Sequence, residues 1–279
     1  MPQWNCACAN CVAARQGRIP ARTQSSVAVS ADGEQWFLVN ASPDLREQIE
    51  TFAPLRPRTS PPRNTPIAGV LLTNADLDHT LGLLLLRQQE RLRIHASTSI
   101  RETLTGMRFD VLLGAFAAVD WIEPRGDWAP LESSGLRYRT IPLVSVSPRF
   151  ALDVPGESAA FQIENPQTGG KVLIAPAVAE VSAALTGAMR ESDVVLVDGT
   201  FWSDDELQRV REGARSANEM GHLPVSDCTL TLLRDSPAPH RVYIHINNTN
   251  PILAVDSPER RMVEAAGVVV GEDGMEFDV

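Results

Sequence analysis

Apolar positions along the chain come in short runs separated by polar breaks, and none dominates. Residues 26–30 and 35–40 read as two short strands, and Ala31-Asp32-Gly33-Glu34 between them supplies an Asp-Gly turn, which predicts a β-hairpin. Residues 1–22 ahead of it read as loop with one helical turn. Ser42-Pro43 starts a helix, with Ser42 as cap and apolar spacing at Leu45, Ile49 and Phe52. The Pro- and Arg-rich residues 56–64 are expected to be loop. Residues 67–73 form a buried-strand run that passes into polar residues 74–80, a helix over 81–91 and a strand over 92–96. Two short helices are expected in 97–116, then strands at 136–144, 159–164, 171–175 and 193–198. An Ala-rich helix is expected at 178–189, a late strand at 241–246 and a last helix from Ser257 to Ala266. A hairpin-rich opening followed by alternating strands and helices suits sheets covered by helices, an α/β layered fold. With no repeat, low-complexity stretch or clear linker, one domain over 1–279 is expected.

Composition narrows the class. At 43% hydrophobic and 22% charged, the 279 residues can bury a large core. No apolar run, the leucine-rich residues 81–86 included, is long enough to span a bilayer, so no membrane partner is expected. The opening residues are polar and cysteine-rich, unlike a secretory leader, which predicts a cytoplasmic protein. A net charge of −10 without a basic stripe argues against nucleic acid as a partner.

The cysteines change the picture. Cys6, Cys8 and Cys11 crowd together while Cys228 stands apart. Neighbours this close do not readily pair as disulfides, and in a reducing compartment thiolates at this spacing point to structural zinc. Zinc asks for a fourth ligand, for which His245, Asn248, His222 and Cys228 are candidates. A second constellation, Asn74-Ala75-Asp76-Leu77-Asp78-His79, follows a buried strand, where sheet enzymes carry reactive groups, although Asn and Asp there also suit a helix cap. Asp198 ends the Val-rich strand, and His245 lies in the late strand. Asp76, Asp78, His79, Asp198 and His245 thus make an oxygen and nitrogen ligand set for Fe, Mn, Zn or Cu. His222, in Met220-Gly221-His222-Leu223-Pro224, is a candidate general acid or ligand, with simple exposure equally compatible. His95 and His240 read as structural or exposed.

Four stretches together resemble one family. They are Pro2-Gln-Trp-Asn-Cys-Ala-Cys-Ala-Asn-Cys11, Asp78-His79-Thr80, Met220-Gly-His-Leu-Pro224 and His245-Ile-Asn-Asn-Thr-Asn-Pro-Ile-Leu253. They resemble the PqqB family of pyrroloquinoline quinone (PQQ) biosynthesis, part of the metallo-β-lactamase-fold superfamily, nearly from end to end. The resemblance implies an αββα four-layer sandwich with its site along one edge of the sheets. The superfamily's His-x-His-x-Asp-His motif matches here at Asn74, Asp76, Asp78 and His79, so the first two histidines are absent. Asp198 falls at the bridging-ligand position, His245 at the last-histidine position, and His222 where phosphodiesterase relatives keep a proton donor. One reactive metal, iron foremost, is therefore implied rather than a hydrolytic pair.

The resemblance further implies an O₂-using hydroxylase, with Asp78, His79 and His222 as catalytic residues. It would act on the tyrosine ring of a peptide-derived Glu-Tyr precursor. A non-catalytic carrier of PQQ and a metal-dependent hydrolase are the alternatives. Family members open with a strand and a Gly-rich turn ahead of the cysteine run, which this sequence lacks. Asn74-Ala75-Asp76 also replaces a usual Asp-Ala-Gln, and Asp227-Cys228 stands in a shortened segment, which points to a divergent member with a different substrate.

Overall fold

A computed structural model describes residues 1–146, 148, 150 and 157–279. They gather into two compact units, each drawn from separate stretches. One comprises Gln24–Pro142 and Ser147–Gly169, the other Met1–Thr23, Leu143–Val146 and Gly170–Val279. The chain opens with helix α1 (Ala9–Arg15), longer than the single turn expected.

The first-named unit holds a five-stranded sheet in the order β1 (Val27–Val29), β2 (Trp36–Val39), β3 (Ile67–Leu71), β4 (Arg91–His95) and β5 (Ala118–Ile122). β1 and β2 pair antiparallel with Val27 opposite Val39, as the Asp-Gly turn predicts. From β2 to β5 the pairing is parallel, with connections through α2 (Leu45–Thr51), the short α3 (Leu77–Thr80), α4 (Thr98–Gly106) and α5 (Phe109–Gly114). Leu38, Leu45, Val70, Leu72, Leu83, Leu92, Ile94 and Leu104 form the centre of the core. β6 (Ala129–Pro130), β7 (Arg137–Leu143) and β8 (Ser158–Glu164) follow, with β6 antiparallel to β7.

The predicted helix over 81–91 is instead two 3-10 turns, Leu81–Leu84 and Leu86–Gln88. The reason is a tertiary contact. A Cβ on Gly82 would strike the backbone of Ala41 and Ser42, so the chain is pressed against them. Leu83 and Leu86, three residues apart, are buried, which suits a three-residue turn better than an α-helix. β5 escaped the pattern because its residues are half-buried or exposed, giving no alternation to read.

The other unit carries a wholly parallel run of β9 (Lys171–Ala175), β10 (Val194–Asp198), β11 (His240–Ile244) and β12 (Val269–Val270), in the order β12-β11-β10-β9. β10 is buried along its whole length, as a parallel strand covered on both faces should be. α6 (Ala183–Arg190) starts later than the predicted 178, because Ser182 caps it through the Leu185 N–H at 3.1 Å. The Val178 N–H is committed to Asp198 Oδ2 at 2.9 Å. α7 (Leu230–Arg234) and α8 (Pro258–Ala265) complete the unit, α8 capped by Ser257 as predicted. Among the described residues no helix is long and apolar enough to cross a membrane.

Candidate metal centres

The cysteine cluster is preassembled. The sulfurs of Cys6, Cys8 and Cys11 lie within 4.8 Å of one another, with Cys11 fully buried on α1. Backbone N–H groups already point at sulfur, Gln3 to Cys11 at 3.3 Å and Cys8 to Cys6 at 3.4 Å. Burial works against the Cys8 thiolate, but the Cys11 backbone N–H and the Asn248 amide outweigh it and hold the thiol below its ordinary value. Cys11 is pushed up by burial and by its two neighbours. Of the four candidates for a fourth ligand, Asn248 is the one whose side chain meets the sulfurs. Its Nδ2 stands 3.3 Å from Cys6, 3.4 Å from Cys8 and 3.4 Å from Cys11. Turned over, the same amide presents Oδ1 to an ion among them. Three converging thiolates and an amide oxygen suit zinc's preference for sulfur and four ligands.

His222 and His245 go elsewhere, to Asp198, and Cys228 lies in the π-helical turn Val225–Thr229. Asp198 closes β10, fully buried, and it offers a ligand atom within 4.8 Å of those of His222 and His245. The His222 Nδ1–H reaches Asp198 Oδ2 at 2.7 Å, a charge-assisted bond. Burial by itself would raise the Asp198 carboxyl, but the charge and hydrogen bond of His222, with His245 and Thr200, hold it below the ordinary range. The two imidazoles stack at 5.4 Å, and Phe201 meets His222 edge-on at 6.0 Å.

Thr200 joins the group and was not marked by the sequence. Its Oγ1 lies 2.6 Å from Asp198 Oδ1, 2.8 Å from both Nδ1 and the carbonyl of His245, and 3.2 Å from His222 Nδ1. One hydroxyl both donates and accepts, so it can orient a carboxylate and an imidazole together. The expected place of His245 inside the strand needs correction. β11 ends at Ile244, and His245 turns out of it with φ 55°. In that left-handed conformation its Nδ1 stands 2.8 Å from the Thr200 hydroxyl.

Asp76, Asp78 and His79 lie in the other unit, in the loop and short α3 after β3. His79 is buried, and its Nδ1–H donates to Asn74 Oδ1 at 2.6 Å, which leaves Nε2 as the nitrogen for a ligand. Asp76 is turned toward the loop, with Oδ2 accepting from Asn74 Nδ2 at 2.8 Å. Asp78 is half-buried. The loop is held by Asn40, itself at φ 64°, whose amide exchanges hydrogen bonds with Thr73. The Ala41 N–H donates to the His79 carbonyl at 2.8 Å. His95, read as structural or exposed, is structural. It is buried at the end of β4 against the Tyr138 hydroxyl at 2.8 Å, and burial beside Arg93 pushes its pKa down to about 4.

A family model described as a β-lactamase superfamily domain matches residues 35–246. Coenzyme PQQ synthesis protein B of Pseudomonas syringae pv. syringae (strain B728a) is 42% identical over 290 residues, covering 100% of this chain and 95% of its own length. The crystal structure of Zn²⁺-bound PqqB from Methylobacterium extorquens is 36% identical and superimposes with a TM-score of 0.90. That match covers 100% of this chain and 95% of the other. The chain belongs to the PqqB family. With that membership comes the metallo-β-lactamase fold. A diphosphatase of the PhnP family, 18% identical, shares the fold with a TM-score of 0.70 over 100% of this chain and 93% of its own. Within the PqqB family frame, the long runs at both ends of the sequence acquire a shared structural meaning. Pro2–Cys11 and His245–Leu253 meet, because Asn248 from the second stands among the thiolates of the first.

Proposed function

We propose that this chain works in PQQ synthesis as a metal-dependent oxygenase, in the cytoplasm, with zinc held by Cys6, Cys8, Cys11 and Asn248. The observation that carries a second, reactive metal is the convergence of Asp198, His222 and His245 around Thr200. Asp78 and His79 are proposed as metal-binding residues as well, because they match the surviving half of the superfamily motif. A carboxylate and imidazole set of this kind suits iron, with zinc, manganese and copper as chemically admissible substitutes.

When bound, iron supplies the electron transfer that O₂ activation requires. The residues supply placement. Asp198 holds a buried negative charge fixed by Thr200 and Val178, and His245 is locked by its turn. His222, anchored through Nδ1, keeps Nε2 to hold or release a proton at the substrate. The substrate proposed is the tyrosine ring of a peptide-derived Glu-Tyr precursor. Replacing a ring C–H by C–OH takes one oxygen atom of O₂, leaves the other as water and draws two electrons from an added reductant. The test is mass spectrometry of a Glu-Tyr peptide after incubation with the anaerobically prepared protein, ferrous iron, ascorbate and O₂. A product heavier by one oxygen atom, lost in His79→Ala, is expected. An active His79→Ala chain contradicts the reading, and tight binding of PQQ without turnover of any precursor would make the protein a carrier instead.

A further inference from the structure

Between the two metal centres of Met1–Thr23 and Gly170–Val279 runs a short buried chain of amides that neither centre uses as ligands. Asn10 sits on α1 between Cys8 and Cys11 and is 6% exposed. Its Nδ2 donates to the carbonyls of Asn248 at 3.0 Å and Asn250 at 2.8 Å. Asn250, fully buried, passes the link on, with Nδ2 donating to the Gly199 carbonyl at 2.8 Å while Oδ1 accepts from the Ile252 N–H. The Asn247 N–H donates to the Thr200 carbonyl at 3.0 Å. Gly199 itself has no freedom to drift, because a Cβ there would press into the Tyr243 ring. The segment from His245 to Asn250 is thus sewn on one side to the cysteine loop and on the other to Gly199 and Thr200, whose hydroxyl orients Asp198 and His245.

We infer that Asn10 and Asn250 are positioning residues that couple the two centres: loading the thiolates with metal fixes the segment 245–250 and so tightens metal binding at Asp198 and His245. The inference rests on the reading of both clusters as metal sites. Asn248 gives it direction. An ion among the sulfurs would draw in Oδ1 in place of Nδ2, clamping the segment at its centre, and Asn10 carries the restraint onward to Asn250. Coupling of this kind is reciprocal in free energy. Its expected size is that of outer partners that orient metal ligands, about tenfold in affinity.

Manganese separates the centres, because Mn²⁺ takes carboxylate and imidazole and disfavours thiolate. The experiment titrates the full chain with Mn²⁺, followed by the loss of the free-ion paramagnetic resonance signal, with and without one prior equivalent of Zn²⁺. Expected is a Mn²⁺ dissociation constant about tenfold lower in the zinc-loaded chain. The difference should vanish in Cys8→Ser, and also in Asn10→Asp, which keeps the shape of Asn10 and its three neighbouring thiolates but removes the donor. Equal constants in a wild-type chain that has taken up its zinc overturn the coupling and leave the cysteine site standing. A wild-type chain that takes up no zinc overturns the cysteine site and the coupling with it. Should the variants fail to fold, hydrogen exchange of wild type decides: zinc must slow exchange of the amides of 245–250, and unchanged exchange contradicts the inference.

Discussion

Thr200 has no metal-binding chemistry of note, yet its hydroxyl reaches Asp198, His222 and His245 at once. Replacing it with valine keeps the branched shape and removes every one of these contacts. Thr200→Val is expected to weaken metal binding at Asp198 and His245 by about 10–100-fold, measured by calorimetric titration, with the cysteine site unaffected. Unchanged affinity would show that Thr200 does not position these ligands. Glu206 is a buried carboxyl in the same unit. Burial pushes its pKa up to about 7, against the opposing hydrogen bonds of Thr249 and the Trp202 N–H. Because the folded value exceeds the ordinary 4.5, the folded chain holds this proton more tightly than the unfolded one. The resulting stability is complete below about pH 4.5 and is lost as pH rises through about 7. Glu206→Gln cannot titrate, so urea unfolding should show wild-type stability falling relative to it by up to about 3 kcal/mol between those values. Parallel pH profiles would contradict the assignment.

Among the elements, the connection from β3 to the 3-10 turns governs the placement of His79. The Gly82 N–H donates to the Ala41 carbonyl at 2.9 Å, three residues after His79 and within van der Waals reach of that backbone. Gly82→Ala must push the two segments apart and is expected to cost about 1–3 kcal/mol in denaturant unfolding, with weaker metal binding by His79. A stability equal to wild type would show that the loop yields freely. Six consecutive residues, five of them leucine, look like helix, and only the contact of Gly82 with a segment forty residues earlier reveals otherwise. The Asp-Gly hairpin, the Val-rich β10 and the Ser257 cap were legible because their signals are local. His245 was found as a residue but misplaced in its element, since leaving a strand with positive φ has no signature in the side chain itself.

At the scale of the molecule, the cysteine spacing pointed to a metal site but left its fourth ligand among four candidates. Asn248 stands 242 positions from Cys6 in the chain, and an asparagine carries little ligand signal until the fold brings it to sulfur. The three residues around Thr200 were each visible as candidates, yet their grouping depended on the pairing of β10 with β11, which sets Asp198 opposite Ile244 and delivers His245 one residue later. The proposed arrangement has two distinct metals, zinc at the thiolates and a second at the carboxylate and imidazole centre. Element analysis of anaerobically purified wild type, Cys8→Ser and Asp198→Ala tests it most directly. Expected are one zinc and one further metal, iron foremost, in wild type, loss of the zinc in Cys8→Ser, and loss of the second metal with zinc retained in Asp198→Ala. Zinc at the full wild-type ratio in Cys8→Ser, or an undiminished second metal in Asp198→Ala, would contradict it.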